Sequence, residues 1–461
     1  MAEETDVIVL GMGPGGEYVA GRLAAAGLDV VGVEAELVGG ECPYWACVPS
    51  KMMVRAAGLL TDTRRVPGIA GSSQVHPDFG TVATRIRTEA TDTWDDTVAA
   101  DRFTGAGGRL VRGRGRLSGP GRVAVKPSDD GPETEYGARV GIVIATGSRP
   151  VIPPLEGLAG SPYWTNREAV SAESAPRSLL VLGGGPVGLE LAQVYARFGT
   201  AVTVVEGGER LLSREEPESS RLITDVLTRE GLVVHVASHA TRVAYDDAHG
   251  FTLFLEDGEE LTAERLLVAT GRAPDLASLG LERAGVELEP KARALPVDEK
   301  LLAAPALWAI GDVTGVGQFT HVAMYQAQLA ARTILGEEAP PADYRALPHI
   351  TFTDPEIGSV GLTEAAARAE GIDVRTGTAD IAASTRGWIH KAGNEGFIKL
   401  VADARRQVLV GATSAGPAGG EVLYGLAVAI QGEVPLERLR QMIYSYPTFH
   451  RAVETALDDL S

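Results

Sequence analysis

Short apolar runs, each followed by a glycine-rich turn, dominate the hydrophobic pattern of the chain. The first run, Asp6–Leu10, has the length of one buried β-strand, and the alanine-rich stretch after it has helical character and ends near Gly27. A second apolar run starts at Asp29 and leads to the acid Glu34. This order of strand, turn, helix and strand predicts a βαβ unit at the start of the chain.

The turn of this unit carries the pattern Gly-x-Gly-x-x-Gly, formed by Gly11, Gly13 and Gly16. Glycine permits the tight turn, and it lets backbone N–H groups and a helix N-terminus approach a pyrophosphate. Glu34 follows at the distance typical of an acid that accepts a hydrogen bond from a ribose hydroxyl. Strand, glycines, helix and acid together predict a dinucleotide-binding site.

The same plan recurs further along the chain. The apolar run Ser178–Leu182 precedes a helix that reaches about Gly199, and a strand over Ala201–Val205 follows. Segments 144–150 and 268–274 also match each other, and each is a predicted strand that ends in a small-residue turn. Because both copies keep all three glycines and the acid, two working nucleotide sites are a better interpretation than one working and one vestigial copy. The second set comprises Gly183, Gly185, Gly188 and Glu206.

Length and charge narrow the class of protein. At roughly 150 residues per domain, the chain suggests about three domains, and its 44% of apolar residues suffice for their cores. The formal net charge of −19 argues against binding to nucleic acid or to an anionic membrane. No apolar stretch approaches the roughly 20 residues of a membrane helix, and the first residues lead into a strand without the basic region of a signal peptide. We therefore expect a cytoplasmic protein without membrane insertion.

The two cysteines, Cys42 and Cys47, lie in one short segment just after the first dinucleotide unit. Pro43 keeps this segment from being a plain helix, and two cysteines this close can meet as a disulfide. Two inert buried thiols are the plain alternative, and the spacing alone gives about even odds. No second Cys or His pair lies at metal-ligand spacing, which excludes a zinc site. The position after a dinucleotide unit favours a redox pair, since a reducing cytoplasm suits a cycling disulfide better than a structural one.

On these motifs the chain resembles the FAD-dependent pyridine nucleotide–disulfide oxidoreductases, the group of dihydrolipoamide dehydrogenase, glutathione reductase and mercuric reductase. The resemblance covers essentially the whole chain. It includes both glycine motifs, the segment 39–51 around the cysteines, the Ala-Thr-Gly turns at 145–147 and 269–271, Ala-Ile-Gly-Asp at 309–312, and the segment 352–363.

The resemblance implies an α/β fold with two Rossmann-like dinucleotide-binding domains, for FAD and NAD(P), and a C-terminal α+β dimerisation domain. The expected FAD-binding domain is discontinuous, at 1–148 and 273–345, around an NAD(P)-binding domain at 149–272. The dimerisation domain is expected at 346–461. The resemblance also implies a homodimer whose active sites are shared by both chains, with a small-molecule acceptor as the other partner.

The resemblance also assigns cofactor contacts. The first glycine motif and Glu34 would hold the ADP half of FAD, Asp312 the ribityl chain, and a helix starting near Thr320 would direct its N-terminus at the flavin. The second glycine motif and Glu206 would hold the nicotinamide nucleotide. We expect NADH rather than NADPH, because two glycines follow Glu206 and Arg210 is the single arginine nearby. Further cofactor contacts are expected at Gly40, Thr146, Gly147, Gly271, Gly311 and His321.

The expected chemistry passes electrons through the cysteines. Cys47 would receive them from the flavin, and Cys42 would exchange with the substrate. Lys51 would lie near the flavin and pair with Glu190, whereas the plain alternative for Lys51 is a surface lysine on a predicted helix Pro49–Leu60. No metal is expected.

The C-terminal segment departs from the family pattern of His-Pro-Thr with a Glu five residues after the His. Tyr446 stands at the position of the acid–base histidine, and Arg451 at that of the glutamate. His450 and Glu454 could form a displaced pair, although an ordinary solvated pair is the preferred interpretation. A tyrosine here resembles mercuric reductase, yet the C-terminal cysteine pair and the N-terminal metal-capturing domain of that enzyme are absent. The aromatic residues Tyr44 and Trp45 between the cysteines could stack on a flat acceptor or simply pack the loop.

Three hypotheses follow. The first is an NAD(P)H-dependent flavoenzyme that reduces a disulfide or another small acceptor through Cys42 and Cys47. The second is a quinone or metal-ion reductase that lacks histidine-assisted disulfide exchange. The third is a non-catalytic flavoprotein, either a redox sensor or a subunit of a larger complex.

Overall fold

The computed structural model describes residues 2–460 and divides into two compact units. Unit 1 comprises the residues up to Ser50 together with Ala83–Val151 and Gly271–Ala342. Unit 2 comprises Lys51–Val82, Ile152–Thr270 and the residues from Asp343 onward. Residues 1 and 461, the outer limits of the expected domains, lie outside the described residues.

The strands alternate with helices along most of the chain. In chain order the strands are β1 (Glu3–Leu10), β2 (Val30–Glu34), β3 (Arg109–Gly119), β4 (Arg122–Pro127), β5 (Thr134–Ile144), β6 (Arg149–Pro150), β7 (Ser178–Leu182), β8 (Ala201–Val205), β9 (Val233–His235), β10 (Ala240–Asp246), β11 (Gly250–Leu255), β12 (Glu260–Ala263), β13 (Arg265–Val268), β14 (Arg272–Ala273), β15 (Leu302–Ala304), β16 (Leu307–Ala309), β17 (Pro348–Thr351), β18 (Glu356–Gly361), β19 (Val374–Asp380), β20 (Phe397–Asp403) and β21 (Val408–Gly416).

The α-helices in chain order are α1 (Pro14–Ala25), α2 (Glu41–Tyr44), α3 (Cys47–Arg65), α4 (Phe79–Arg85), α5 (Thr97–Gly105), α6 (Asn166–Ser171), α7 (Pro186–Arg197), α8 (Pro217–Arg229), α9 (Thr320–Ile334), α10 (Glu364–Ala369), α11 (Thr385–His390), α12 (Gly419–Gln431), α13 (Leu436–Arg440) and α14 (Ala452–Asp458). A π-helical turn spans Ile86–Ala90, and 3₁₀ turns span Ala277–Leu279, Leu281–Ala284 and Gly311–Thr314. None of the helices among residues 2–460 is both long enough and apolar enough to cross a membrane.

Unit 1 is built around a parallel sheet. β1 pairs with β2 on one side and β5 on the other, β2 pairs in turn with β3, and β5 pairs with β16, all in parallel. The outer parts of β3 and β5 both pair antiparallel with β4. Every residue of β2 is buried, which is typical of a central parallel strand covered on both faces.

Unit 2 contains a second parallel sheet, in the order β13-β7-β8-β9, and a three-stranded antiparallel sheet of β10, β11 and β12. It also contains a five-stranded antiparallel sheet in the order β17-β18-β21-β20-β19. Helices α12 and α14 pack against this last sheet around a buried core that includes Leu400 and Leu423. The expected α/β class with an α+β C-terminal part is confirmed.

Most predicted elements lie where the sequence placed them, but some bounds differ. β1 begins at Glu3 rather than Asp6, and β2 spans Val30–Glu34. β7 and β8 have the predicted bounds, and α9 begins at Thr320 as expected. The prediction of a helix over Pro49–Leu60 was wrong at both ends, because α3 runs from Cys47 to Arg65. Pro49 is the third residue of this helix, where a missing N–H breaks no intrahelical hydrogen bond, so it does not mark the start.

The two glycines Gly16 and Gly21 of α1 provide a matched test of the first turn. A Cβ at Gly16 would lie 1.9 Å from the carbonyl oxygen of Gly11, whereas a Cβ at Gly21 would have nothing within 4 Å. We expect Gly16→Ala to lower the free energy of unfolding by about 1–3 kcal/mol or more through overpacking, and Gly21→Ala to raise it by about 0.5–1 kcal/mol. Urea unfolding followed by circular dichroism measures both. Equal stability of the two variants would contradict the close contact.

Candidate functional site

The first glycine turn, between β1 and α1 in unit 1, combines a tight contact with an open space. Gly11 has φ +90°, and a Cβ there would lie 2.5 Å from the carbonyl oxygen of Ala145. Gly13 precedes α1, and a Cβ there would meet nothing within 4 Å. Uncapped backbone N–H groups at the start of a helix with open space before them suit a pyrophosphate. The residues therefore fit the expected dinucleotide.

The second glycine turn, between β7 and α7 in unit 2, repeats this geometry. Gly183 has φ +115° and lies against the carbonyl of Ala269, and a Cβ at Gly188 would lie 2.2 Å from the Gly183 carbonyl oxygen. Gly185 precedes α7 and again has open space where a Cβ would be. Each unit thus carries one glycine turn that fits a dinucleotide.

The two acids of these motifs make the same pair of contacts. The carboxylate of Glu34 accepts hydrogen bonds from the backbone N–H groups of Met12 at 2.7 Å and Glu36 at 2.8 Å. The carboxylate of Glu206 accepts from those of Gly184 and Gly208, both at 2.6 Å. Each acid therefore joins its strand end to its glycine turn. Burial raises the pKa of Glu34, although the two backbone N–H groups oppose this.

The other predicted cofactor contacts in unit 1 lie on tight turns. Gly40, Gly147, Gly271 and Gly311 all have positive φ. A Cβ at Gly40 would lie 2.8 Å from the Cα of Gly13, so the segment of the cysteines passes directly over the first glycine turn. Thr146 is exposed after β5. The structure therefore brings the two predicted motifs, the glycine turn and the cysteine segment, together.

Asp312 belongs to a polar network that the sequence did not reveal. The hydroxyl of Ser148 donates to its carboxylate at 2.5 Å, and Arg272 donates to the Ser148 hydroxyl at 3.0 Å and to its carbonyl at 2.6 Å. The guanidinium of Arg272 also lies 3.4 Å from Glu41, next to Cys42. Burial raises the pKa of Asp312, while Ser148 and Arg272 oppose this. Ser148 and Arg272 directly follow the two Ala-Thr-Gly turns, and this position was the available signal.

The cysteines lie at the start of two helices. Cys42 belongs to α2, Cys47 is the first residue of α3, and both are partly buried. The sulfur of Cys47 lies 3.4 Å from the hydroxyl of Thr320, the first residue of α9. His321, the next residue, stacks on Phe319 with the ring centroids 5.2 Å apart. A sulfur at the N-terminus of a helix is favoured as a thiolate, because the helix dipole is positive there.

Lys51 and Glu190 form an ion pair in unit 2. The Nζ atom of Lys51 lies 2.6 Å from Oε2 of Glu190, and it also lies 4.7 Å from the centre of the Phe352 ring. The second carboxylate oxygen of Glu190 accepts from the backbone N–H of Phe352 at 2.9 Å. The buried carboxylate thus has partners on both oxygens. The alternative of a surface lysine without a fixed partner does not describe this side chain.

A cleft of about 260 Å³ lies next to this pair in unit 2, lined by Glu190 and by charged residues that include Arg65, Asp354 and His390. The guanidinium groups of Arg65 and Arg197 both lie 2.9 Å from the carboxylate of Asp354. Burial lowers the pKa of His390, and the charges of Arg386 and Arg65 add to this. The charges around the cleft are therefore largely compensated.

The structure does not bring together the displaced pair at the C-terminus. Glu454 pairs with Arg451 at 2.7 Å, and within residues 2–460 no hydrogen bond or ion pair joins it to His450. His450 lies beside the ring of Tyr444, at 5.7 Å between centroids. Tyr446 is 66% exposed, and its hydroxyl lies 3.3 Å from that of Thr385.

No three His, Cys, Asp or Glu side chains are arranged to hold a metal ion in the part of the chain that the structure describes.

Comparison with known proteins places these features in one family. Residues 5–327 match the family described as pyridine nucleotide-disulphide oxidoreductase, and residues 347–457 match the dimerisation domain of the same family. A dihydrolipoyl dehydrogenase from Halobacterium salinarum is 34% identical over 98% of this chain and 96% of its own length. A mercuric reductase from Acidithiobacillus ferrooxidans is 33% identical over 98% of this chain and 82% of its own. The crystal structure of LpdA from Mycobacterium tuberculosis, 27% identical, has a TM-score of 0.87 over 99% of this chain and 100% of that one.

Proposed function

The chain belongs to the pyridine nucleotide-disulphide oxidoreductases and is an FAD-dependent enzyme oxidising a nicotinamide nucleotide, and we propose that Cys42 and Cys47 are its redox-active disulfide. The observation that carries this proposal is the position of the Cys47 sulfur, 3.4 Å from Thr320 at the start of α9. Thr320 is the first residue of a 15-residue helix, so the positive end of the helix dipole lies near this sulfur. This stabilises the thiolate that remains when the disulfide is reduced. Cys42 is then the thiol that exchanges with the acceptor.

The residues of unit 1 would hold FAD. The open space at Gly13 accommodates the pyrophosphate, Glu34 faces the adenosine ribose, and Asp312 with Ser148 offers polar contacts to the ribityl chain. When bound, FAD accepts a hydride from the nicotinamide and passes an electron pair to a disulfide. Lys51, fixed by Glu190, supplies a positive charge to the same reaction in this proposal.

The second nucleotide site suits NADH. The carboxylate of Glu206 would accept from the ribose diol and repel a 2′-phosphate. Arg210, the nearby arginine, donates instead to the carbonyl oxygens of Leu212, Ser213 and Glu215 and to the hydroxyl of Ser220. Since its donors already hold the loop together, Arg210 is not placed to bind a phosphate.

The exposed apolar residues of the C-terminal part support a homodimer. Ile443 is 98% exposed, and a large apolar side chain left in water is typical of a protein interface. We define the dimer patch as Trp388, Ile389, Tyr424, Val428, Met442, Ile443 and Tyr446, all of them exposed. The family resemblance places Tyr446 at a position that the partner subunit supplies to the cysteines, so the active sites would be shared.

Tyr446 also favours an acceptor other than a classical disulfide. A phenol with a pKa near 10 moves protons poorly at neutral pH, whereas imidazole titrates near 6.5. General acid–base catalysis of this kind typically raises a reaction rate by about 10²–10⁴-fold. The second candidate, a quinone or metal-ion reductase, is favoured by this observation.

The expected domains and location remain part of the proposal. The FAD-binding domain would comprise 1–148 and 273–345, the NAD(P)-binding domain 149–272 and the dimerisation domain 346–461. The location would be cytoplasmic.

Thiol counting and acceptor assays test the redox disulfide. Anaerobic reduction of the FAD-loaded wild type by NADH is expected to expose two thiols, whereas Cys42→Ser exposes no additional thiol. Lipoamide and glutathione disulfide are expected to be turned over slowly, and a quinone or a soft metal ion faster. Unchanged thiol counts in the wild type would remove the disulfide from the electron path. Efficient lipoamide turnover that His450→Ala abolishes would show that the displaced histidine is the acid–base after all.

Nucleotide preference tests Glu206. The wild type is expected to have a several-fold higher kcat/KM for NADH than for NADPH, and Glu206→Gln is expected to narrow the difference by removing the negative charge near the 2′-position. Glu209→Gln is the matched control, since it removes the same charge from an exposed neighbour without altering Glu206. A higher kcat/KM of the wild type for NADPH would contradict the assignment.

Sedimentation tests the shared active site. We expect the wild type to be a dimer and Ile443→Glu to raise the dimer dissociation constant at least about 10-fold, because it buries a charge in the interface. Val233→Glu, on the exposed edge strand β9, is the control. Dissociated Ile443→Glu should still have its cysteines reduced by NADH but lose acceptor turnover. A fully active, FAD-loaded monomer would refute the shared site.

A further inference from the structure

A pair of stacked tryptophans lies beside the redox cysteines. Trp45 directly follows α2, between Cys42 and Cys47, and its ring stacks on that of Trp94 with centroids 5.4 Å apart and planes 21° apart. The indole N–H of Trp94 donates to the carbonyl oxygen of Tyr44 at 3.4 Å. Neither motif of the nucleotide sites requires these two rings.

The backbone that carries Trp94 adopts a strained conformation. Asp92, Thr93 and Trp94 have φ of +46°, +59° and +59°, so three successive non-glycine residues lie in the left-handed region. They follow the π-helical turn Ile86–Ala90, another irregularity common at functional sites. Such a run is costly for L-residues and persists only where the surrounding structure enforces it.

Local hydrogen bonds enforce this strain. The Thr91 hydroxyl accepts a hydrogen bond from the backbone N–H of Trp94 at 3.3 Å. The backbone N–H of Thr93 donates to the carbonyl oxygen of Arg87 at 2.6 Å. The strained backbone does not bury the ring that it carries, since Trp94 and its partner Trp45 both remain partly exposed. Strain that served only packing would be expected to bury the large side chain it positions. The segment instead holds an aromatic face available next to the cysteines.

The exposed charges on the segment that carries Trp94 are negative. Asp92 and Asp95 are exposed there, whereas the carboxylate of Glu41 lies 3.4 Å from the guanidinium of Arg272. The buried carboxylate of Asp96 is paired with Arg112 at 2.6 Å. Burial raises the pKa of Tyr44, and Asp96, Glu17 and Asp95 add to this. This environment repels anionic ligands and accepts neutral or cationic ones.

We propose that Trp45 and Trp94 form the acceptor-binding surface of this enzyme, and that it selects flat aromatic acceptors of the quinone class that are neutral or cationic. This inference rests on the proposed redox role of Cys42 and Cys47. It assigns substrate selection to Trp45 within the cysteine segment and to Trp94 outside the family motifs. It agrees with a site at which Tyr446 provides no efficient acid–base.

The proposed reaction is balanced. Each turnover removes a hydride from NADH and takes one proton from solvent, and the quinone becomes a hydroquinone. In the last step the two S–H bonds of Cys42 and Cys47 break, one S–S bond forms, and two O–H bonds form on the acceptor. Aromatic stacking places the quinone face against indole, where dispersion and the ring quadrupoles stabilise it.

Duroquinone is the suitable probe, because its four methyl groups block addition of thiols to the ring. We expect Trp94→Leu and Trp45→Leu to lower the ratio of kcat/KM for duroquinone over lipoamide about 5- to 10-fold. Trp94→Phe, which retains an aromatic face, should restore most of the ratio. Trp164→Phe in unit 2 is the control and should leave the ratio unchanged. Anthraquinone-2-sulfonate, an anionic quinone, should be a poorer acceptor than duroquinone.

Binding without turnover provides the second readout. Duroquinone should quench the tryptophan fluorescence of the oxidised, FAD-loaded wild type, and Trp94→Leu should raise the dissociation constant about 5- to 10-fold, with Trp164→Phe unaffected. Wild-type enzyme that exposes two thiols with NADH but neither binds nor reduces duroquinone would overturn this inference and leave the proposed function intact. An equal loss with lipoamide and duroquinone would show that the pair only packs the loop. If the leucine variants do not fold, the phenylalanine variant and wild-type binding decide the matter.

Discussion

The two glycine turns are the constraint on which both strand–helix junctions depend, because at each of them the chain passes too close to itself for any side chain. At the first turn a Cβ on Gly16 would lie 1.9 Å from the Gly11 carbonyl oxygen, and at the second a Cβ on Gly188 would lie 2.2 Å from that of Gly183. The acids Glu34 and Glu206 then connect each turn to the end of the neighbouring strand through two backbone N–H groups. The start of each helix, the strand order and the open space for a pyrophosphate all depend on this close approach.

In unit 2, buried charged groups join the segment after Glu206 to the five-stranded antiparallel sheet. The ammonium group of Lys399 lies within 3.3 Å of three carboxylates, those of Glu216, Glu218 and Glu364. Glu215 accepts from Ser359 and lies 2.8 Å from His349. Burial alone would raise the pKa of Glu215, but His349, the Ser359 hydroxyl and the charge of Arg210 together outweigh it and the pKa is lowered. Buried carboxylates with such partners avoid the cost of an uncompensated charge, so the loop after Glu206 is attached firmly to the antiparallel sheet.

The chain combines a conventional electron-donating half with an unusual acceptor half. Its two glycine turns and the Lys51–Glu190 pair lie as the family resemblance predicts. Its departures, Tyr446 and the aromatic residues between the cysteines, concern the groups that would meet the acceptor. Hydride transfer into the flavin is common to the family, whereas the acceptor differs among its members, so variation is expected on this side of the reaction.

The sequence by itself determined the two nucleotide units, since glycine spacing, apolar runs and acids are local patterns that a βαβ unit requires. It also determined the bounds of β7 and β8 and the start of α9. Only the tertiary structure decided that Arg272 reaches Ser148 and Asp312, that Arg210 is occupied by its own loop, and that Glu454 pairs with Arg451 rather than with His450. It likewise brought Trp94 onto Trp45. The contacts of Arg272 and Trp94 join segments that are far apart in the chain, and spacing along the sequence carries no information about how those segments pack. Arg210 and Glu454 each have several possible partners within a few residues, and only the folded backbone decides which of them the side chain meets.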